Sequence, residues 1–150
     1  MVGAKDKLIS PHALQGRDWV EAVPERSVED EMVVGKHLYA NMYGIERSKL
    51  EDEKYVRNVV LEAVRAANAS LIDIKSWSVG GKKGGVSVIA LVEESHIAIH
   101  TWVEYSYATV DIYTCGAHTN PWAAFDVVLK AFNPRKYKVG YADRSSTTLD

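Results

Sequence analysis

The sequence predicts an α+β fold in which helices lie on one face of a single antiparallel sheet. Three observations carry this. Strand-like segments follow one another directly from residue 71 to residue 115, and consecutive strands favour antiparallel pairing. Two stretches read as helices, one on each side of that block. The resulting order, β-α-β-β-β-β-α-β, places both helices on the same face.

Residues 1–32 are mixed polar, hold Pro11, Gly16 and Pro24, and show no sustained period. They read as a flexible N-terminal extension to a domain of residues 33–150. "VVGKHLYANMYGI", from Val33, is rich in tyrosine and aliphatics and reads as the first strand. "LEDEKYVRNVVLEAVRAANA" follows. Its Val56, Val59, Val60, Ala63, Val64 and Ala67 form one apolar stripe, and Asp52 and Glu53 suit a first helical turn. "SLIDIKSWSV" alternates as a half-exposed strand, and "GGKKGG" is a turn. "VSVIALVEE" and "SHIAIHTWVE" are two strands or one long one, and "YATVDIYTCG" is the next. Pro121 stands near the start of the helix "PWAAFDVVLKAF", where its missing N–H does no harm. "KYKVGYADR" closes the sheet. Several strands are apolar on both faces, which predicts self-association of two sheets face to face.

The chain has 150 residues, 47% of them hydrophobic and 25% charged, and a net charge of −2. This describes one globular domain with a real core. Its pI near 6.2 gives no basic excess for nucleic acid and no basic amphipathic helix for a membrane. No apolar run is long enough to span a bilayer and no secretory signal opens the chain, so a cytoplasmic protein is expected. The single cysteine, Cys115, excludes an intrachain disulfide and a cysteine-based metal site.

The chemistry concentrates in "VEESHIAIHTW", residues 92–102. Bland readings compete. Lys82 and Lys83 do not match the spacing of a phosphate loop and suit a solvated hairpin turn. His96 and His100, four apart on a strand, are about 13 Å apart, too far for one metal, so no metal site is expected. Glu94 and Glu104 have no defined separation that would make a glycosidase pair. Ser95, His100 and Cys115 read either as nucleophile, base and acid or as three polar residues on an exposed sheet face.

Residues 85–116, "GVSVIALVEESHIAIHTWVEYSYATVDIYTCG", closely resemble the processing and catalytic region of the prokaryotic S-adenosylmethionine decarboxylase family. Glu-Ser-His, His-Thr-Trp and Thr-Cys-Gly stand at matched spacing. The resemblance extends more weakly over residues 35–146. It implies a pyruvoyl-dependent enzyme made as a proenzyme that cuts itself between Glu94 and Ser95, into a β chain of residues 1–94 and an α chain of residues 95–150. It implies that Ser95 becomes the covalent pyruvoyl cofactor, which holds the substrate as a Schiff base. His100 then serves as proton donor and acceptor in processing, Ser87 assists it, and Cys115 is the catalytic proton donor. The fold implied is a two-layer unit pairing into an αββα sandwich, a homodimer of such heterodimers or a larger assembly.

The sequence departs from the family pattern at Val103 and Ser106, and in "SVGGKKGG" a glycine stands where an aromatic would stack on adenine. Trp77 replaces that ring only if the loop folds back. Glu104, which matches a ribose-holding carboxylate, can equally grip a guanidinium. "CGAHTNP" and "ADRSS" look most like a crenarchaeal branch holding both arginine and S-adenosylmethionine decarboxylases. The expectation is an enzyme of polyamine biosynthesis with a small amino-acid substrate, converting L-arginine to agmatine and CO2. The alternative is S-adenosylmethionine, followed by a non-catalytic homologue that regulates an active paralogue. A cysteine hydrolase using Cys115 and His100 is a poorer reading.

Overall fold

The computed structural model describes residues 32–147. The expected extension, residues 1–32, lies outside them except for Met32. The elements are β1 (Gly35–Tyr43), a single helical turn α1 (Arg47–Leu50), α2 (Glu53–Ala66), β2 (Leu71–Val79), β3 (Gly85–Val92), β4 (Ser95–Trp102), a 3-10 turn (Val103–Tyr105), β5 (Tyr107–Cys115), α3 (Pro121–Phe132) and β6 (Lys136–Asp143). The strands form one sheet in the order β2-β3-β4-β5-β1-β6. Every neighbouring pair is antiparallel.

The expected elements appear, with one question resolved and two additions. The apolar run before residue 93 and the segment after it are not one long strand. Val92 pairs with Ser95, so β3 and β4 form a hairpin whose two-residue turn is Glu93–Glu94. The additions are α1 and the 3-10 turn, both too short to carry an apolar period; the turn ends β4 at Trp102, so Val103 and Glu104 fall outside the expected strand.

Period-two alternation sorts each central strand between two faces. Leu38 and Met42 of β1, Val86 and Val88 of β3, Ile97 and Ile99 of β4, and Val110 and Ile112 of β5 are buried on one face. Val56, Val60 and Ala63 of α2 and Phe125, Val128 and Phe132 of α3 cover it. Each such aliphatic or aromatic side chain contributes about 1.5–3 kcal/mol on burial. Asp52 caps α2 by accepting from the Tyr55 N–H, and Asn120 caps α3 by accepting from the Ala123 N–H. Pro121 stands in the first turn of α3, as its missing donor allows. Glu53 ties α2 to β2 through the Ser76 and Ser78 hydroxyls at 2.6 and 2.9 Å.

On the other face lie His37 and Tyr39 of β1, Ser87 of β3, His96 and His100 of β4, and Asp111 and Cys115 of β5. They alternate with the core residues and are only partly covered or exposed. Among the described residues, no helix lies over this face.

Candidate active site

Glu94 and Ser95 stand where β3 turns into β4. Favoured two-residue hairpin turns place a central residue at positive φ, and for that reason use glycine or asparagine. Neither Glu93 nor Glu94 takes positive φ. Ser95, the residue after the turn, does so at +132°. A side chain is disfavoured there, and such strain costs of order 1–3 kcal/mol.

The acyl residue of this peptide is firmly held. The Glu94 carbonyl oxygen accepts from the Cys115 N–H at 2.9 Å, where β5 ends beside the turn. The Glu94 residue is 7% exposed. Its Oε1 accepts from the Ser70 N–H and its Oε2 from His118 Nε2, both at 2.9 Å. Burial pushes this carboxyl up, but the Ser70 N–H and His118 outweigh it and hold the group below its usual range. The loop after β5 is pinned in turn. Lys36 Nζ donates to the Thr119 carbonyl at 2.7 Å, and the Asn68 amide donates to the His118 carbonyl at 3.0 Å.

Ser87 and His100 form a second group. They are cross-strand partners on the open face, and Ser87 Oγ and His100 Nδ1 share a 2.8 Å hydrogen bond. Trp77 is the next partner across the sheet from Ser87, on the same face and 47% exposed. Its ring therefore reaches this region without any folding back of the Gly80–Gly84 turn. Trp102, two residues beyond His100 along β4, stacks obliquely on Tyr107 with centroids 5.3 Å apart.

The structure thus brings Ser95, Glu94 and Cys115 together, and Ser87 with His100, but it does not join the groups. Five residues along β4 separate Ser95 from His100, roughly 16 Å at 3.3 Å per residue. No hydrogen bond links them among the described residues. Between them lies a network the sequence did not announce. Asp111 bridges His37 Nε2 at 2.7 Å and His96 Nε2 at 3.1 Å. It forms because register sets Tyr113 of β5 between His37 and His96, two positions from Asp111.

Glu104 lies past the far end of β4 and already has a cation. Arg47 Nη2 sits 3.1 Å from its Oε2, and Arg47 Nε 3.3 Å from Glu51. All three line a cleft of about 420 Å³ walled by Ser78 and the glycines of the β2–β3 turn. A substrate guanidinium at Glu104 must therefore share it with, or displace, Arg47. No group of three or more histidine, cysteine or acidic side chains suited to a metal occurs among the described residues. No helix there is long and apolar enough to cross a membrane.

Sequence reasoning passed over three participants: the Cys115 N–H, Ser70 and His118. The first two act through backbone atoms and carry no side-chain signal. His118 had one, as a histidine three residues after the lone cysteine.

Comparison with known proteins agrees with this architecture. The family model described as S-adenosylmethionine decarboxylase matches residues 36–145. The arginine decarboxylase proenzyme of Hyperthermus butylicus is 55% identical over 121 residues, covering 81% of this chain and 85% of that protein. That of Aeropyrum pernix is 55% identical over 116 residues, covering 77% and 88%. The crystal structure of the adenosylmethionine decarboxylase from Aquifex aeolicus superposes with a TM-score of 0.70 at 30% identity, covering 79% of this chain and 96% of that one.

Proposed function

This chain belongs to the S-adenosylmethionine decarboxylase family, and on that premise we propose that it is a self-processing proenzyme whose mature form decarboxylates L-arginine to agmatine. The observation that carries self-processing is the Glu94–Ser95 junction: a serine at strained positive φ, with a backbone N–H already on the carbonyl oxygen of the bond to be cut. The substrate rests on the two arginine decarboxylase proenzymes, matched over most of both lengths.

Ser95 Oγ attacks the Glu94 carbonyl carbon. Charge develops on the carbonyl oxygen, where the Cys115 N–H is in place to stabilise it. The C–N bond breaks, the hydroxyl proton ends on the freed Ser95 amine, and the amide has become an ester. Removal of the Ser95 α-proton then expels the Glu94 carboxylate from Cβ. Tautomerisation and hydrolysis release ammonia and leave a pyruvoyl group on the chain of residues 95–150. The site fits that group. Glu94 stays anchored by Ser70 and His118, and Cys115 borders the position where the group forms. Once present, the group supplies a ketone for the substrate amine and a sink for the electrons left by CO2. Cys115 supplies the proton to the product carbon.

His100, activated by Ser87, serves the proton transfers of processing. Within one copy it lies too far from Ser95, so a second copy delivers it. Two sheets packed by their open faces, with their β4 strands crossing near Ala98, would bring the His100 of each copy toward the Ser95 end of β4 in the other. This is the αββα arrangement, with the Asp111 network inside the interface.

A reading with S-adenosylmethionine as substrate is favoured by the exposed Trp77 beside Ser87, a ring on which adenine can stack. Carboxyl-labelled arginine, ornithine and S-adenosylmethionine, offered separately, decide by CO2 release. Arginine is expected to turn over; release from S-adenosylmethionine with none from arginine reverses the substrate and leaves the chemistry standing. Ser95→Ala is expected to stay one inactive chain by mass spectrometry, since alanine offers no oxygen for the acyl shift.

A further inference from the structure

We propose that His118 is a positioning residue for self-processing, clamping the acyl side of the Glu94–Ser95 bond so that strain stays at Ser95. This rests on the self-processing reading above. A glutamate in a tight two-residue turn ordinarily points to water, as Glu93 does. Glu94 instead is buried, and burying a carboxylate is costly unless its oxygens are bonded. One oxygen has the Ser70 N–H and the other has His118, so without His118 the side chain has reason to turn outward.

The imidazole is half exposed, but its position is fixed by its surroundings. Gly116 has φ +96°, and a Cβ there would come within 2.7 Å of the His118 ring, so only glycine leaves room for it. The backbone carbonyls on either side of His118, and its own, are tied by Lys36 and Asn68. The Asn120 N–H, two residues on, donates to Ala67 at the end of α2.

Glu94 is therefore fixed at three points: its carbonyl oxygen by the Cys115 N–H, and its two carboxylate oxygens by Ser70 and His118. Ser95 is fixed on its other side by pairing with Thr114. With both neighbours anchored, rotation of the turn cannot relax the positive φ. The acyl shift can, because it breaks the C–N bond while the new C–O bond runs through the flexible serine side chain. His118 touches neither Oγ nor the carbonyl carbon; it acts through Glu94.

The test follows newly made protein with time, with and without hydroxylamine, which cleaves the ester. Wild type, His118→Ala and His118→Gln are compared. Each is also made with Ser95→Ala, so that thermal melts of uncut chains report folding. His118→Ala is expected to form the hydroxylamine-cleavable species and the 1–94 and 95–150 fragments about tenfold more slowly, the effect of one hydrogen bond to a charged group. His118→Gln, which keeps an N–H donor, should recover most of the rate. Cleavage of His118→Ala at the wild-type rate would overturn the proposal. So would a slow His118→Ala that makes ester normally and stalls afterwards, or one whose slowness simply follows a collapsed melt that glutamine does not restore. Wild type that never cleaves would overturn the self-processing reading itself, a different and visible result.

Discussion

At the scale of single residues, the proposed chemistry uses one residue at two different times. In the proposed scheme Cys115 contributes its backbone N–H to cutting and its thiol to turnover. Cys115→Ala keeps the N–H and loses the thiol. It is expected to cleave normally, seen as two fragments on a gel, and to decarboxylate about 10²-fold or more slowly, the usual worth of a positioned proton donor. Glu94 makes a pH prediction for the uncut Ser95→Ala chain. Its folded-state carboxyl lies below the ordinary value of 4.5, so it stabilises the fold above that value. The contribution is lost as pH falls through the lower folded value. Adding Glu94→Gln should therefore flatten the loss of melting temperature on acidification below about pH 4.5, measured by circular dichroism across the acid range. Which residues to propose was legible: Ser95, Ser87, His100 and Cys115 were named from their spacing and the family resemblance, and their roles stand as proposals. Their grouping was not, because Cys115 reaches Glu94 across the sheet and Ser87 reaches His100 through strand register. Glu104 shows the same limit, since its partner Arg47 stands 57 positions away in the chain.

At the scale of elements, the helices were read well because an apolar stripe repeats over many residues. Val56, Val59, Val60 and Ala63 admit only one buried face for α2. The β3–β4 boundary was ambiguous because "VEES" lacks the glycine or asparagine that marks a hairpin. That absence is itself informative, since the strain a glycine would relieve instead falls on Ser95. The two-residue turn and the bond proposed to be cut are one feature. The short loop between β5 and α3 matters in the same way, joining the Cys115 N–H to the α3 cap at Asn120. Asn120→Ala is expected to cost about 1 kcal/mol of stability in a denaturant titration of the uncut chain, the usual worth of a side-chain N-cap.

At the scale of the whole molecule, the distance between Ser95 and His100 makes the assembly part of the proposed mechanism. Mixing Ser95→Ala with His100→Ala tests this directly. Each alone stays whole, but in a mixed pair the intact Ser95 of one copy meets the intact His100 of the other. Co-expression is expected to restore cleavage of the His100→Ala chain, read by mass spectrometry, in up to half the sites. Two copies that stay wholly uncut would show that each chain must complete its own site. The strand order carries a last consequence. A cut between β3 and β4 leaves β1 with the N-terminal fragment, yet β1 lies between β5 and β6 of the C-terminal one. The fragments are dovetailed, and parting them means unzipping three ladders at once. The proposed maturation would therefore alter the covalent chain while the sheet stays locked. It also leaves a memory that only unfolding reveals. The uncut chain finds its fold as one molecule, whereas a denatured mature enzyme must first find its missing half, at a rate that falls with dilution.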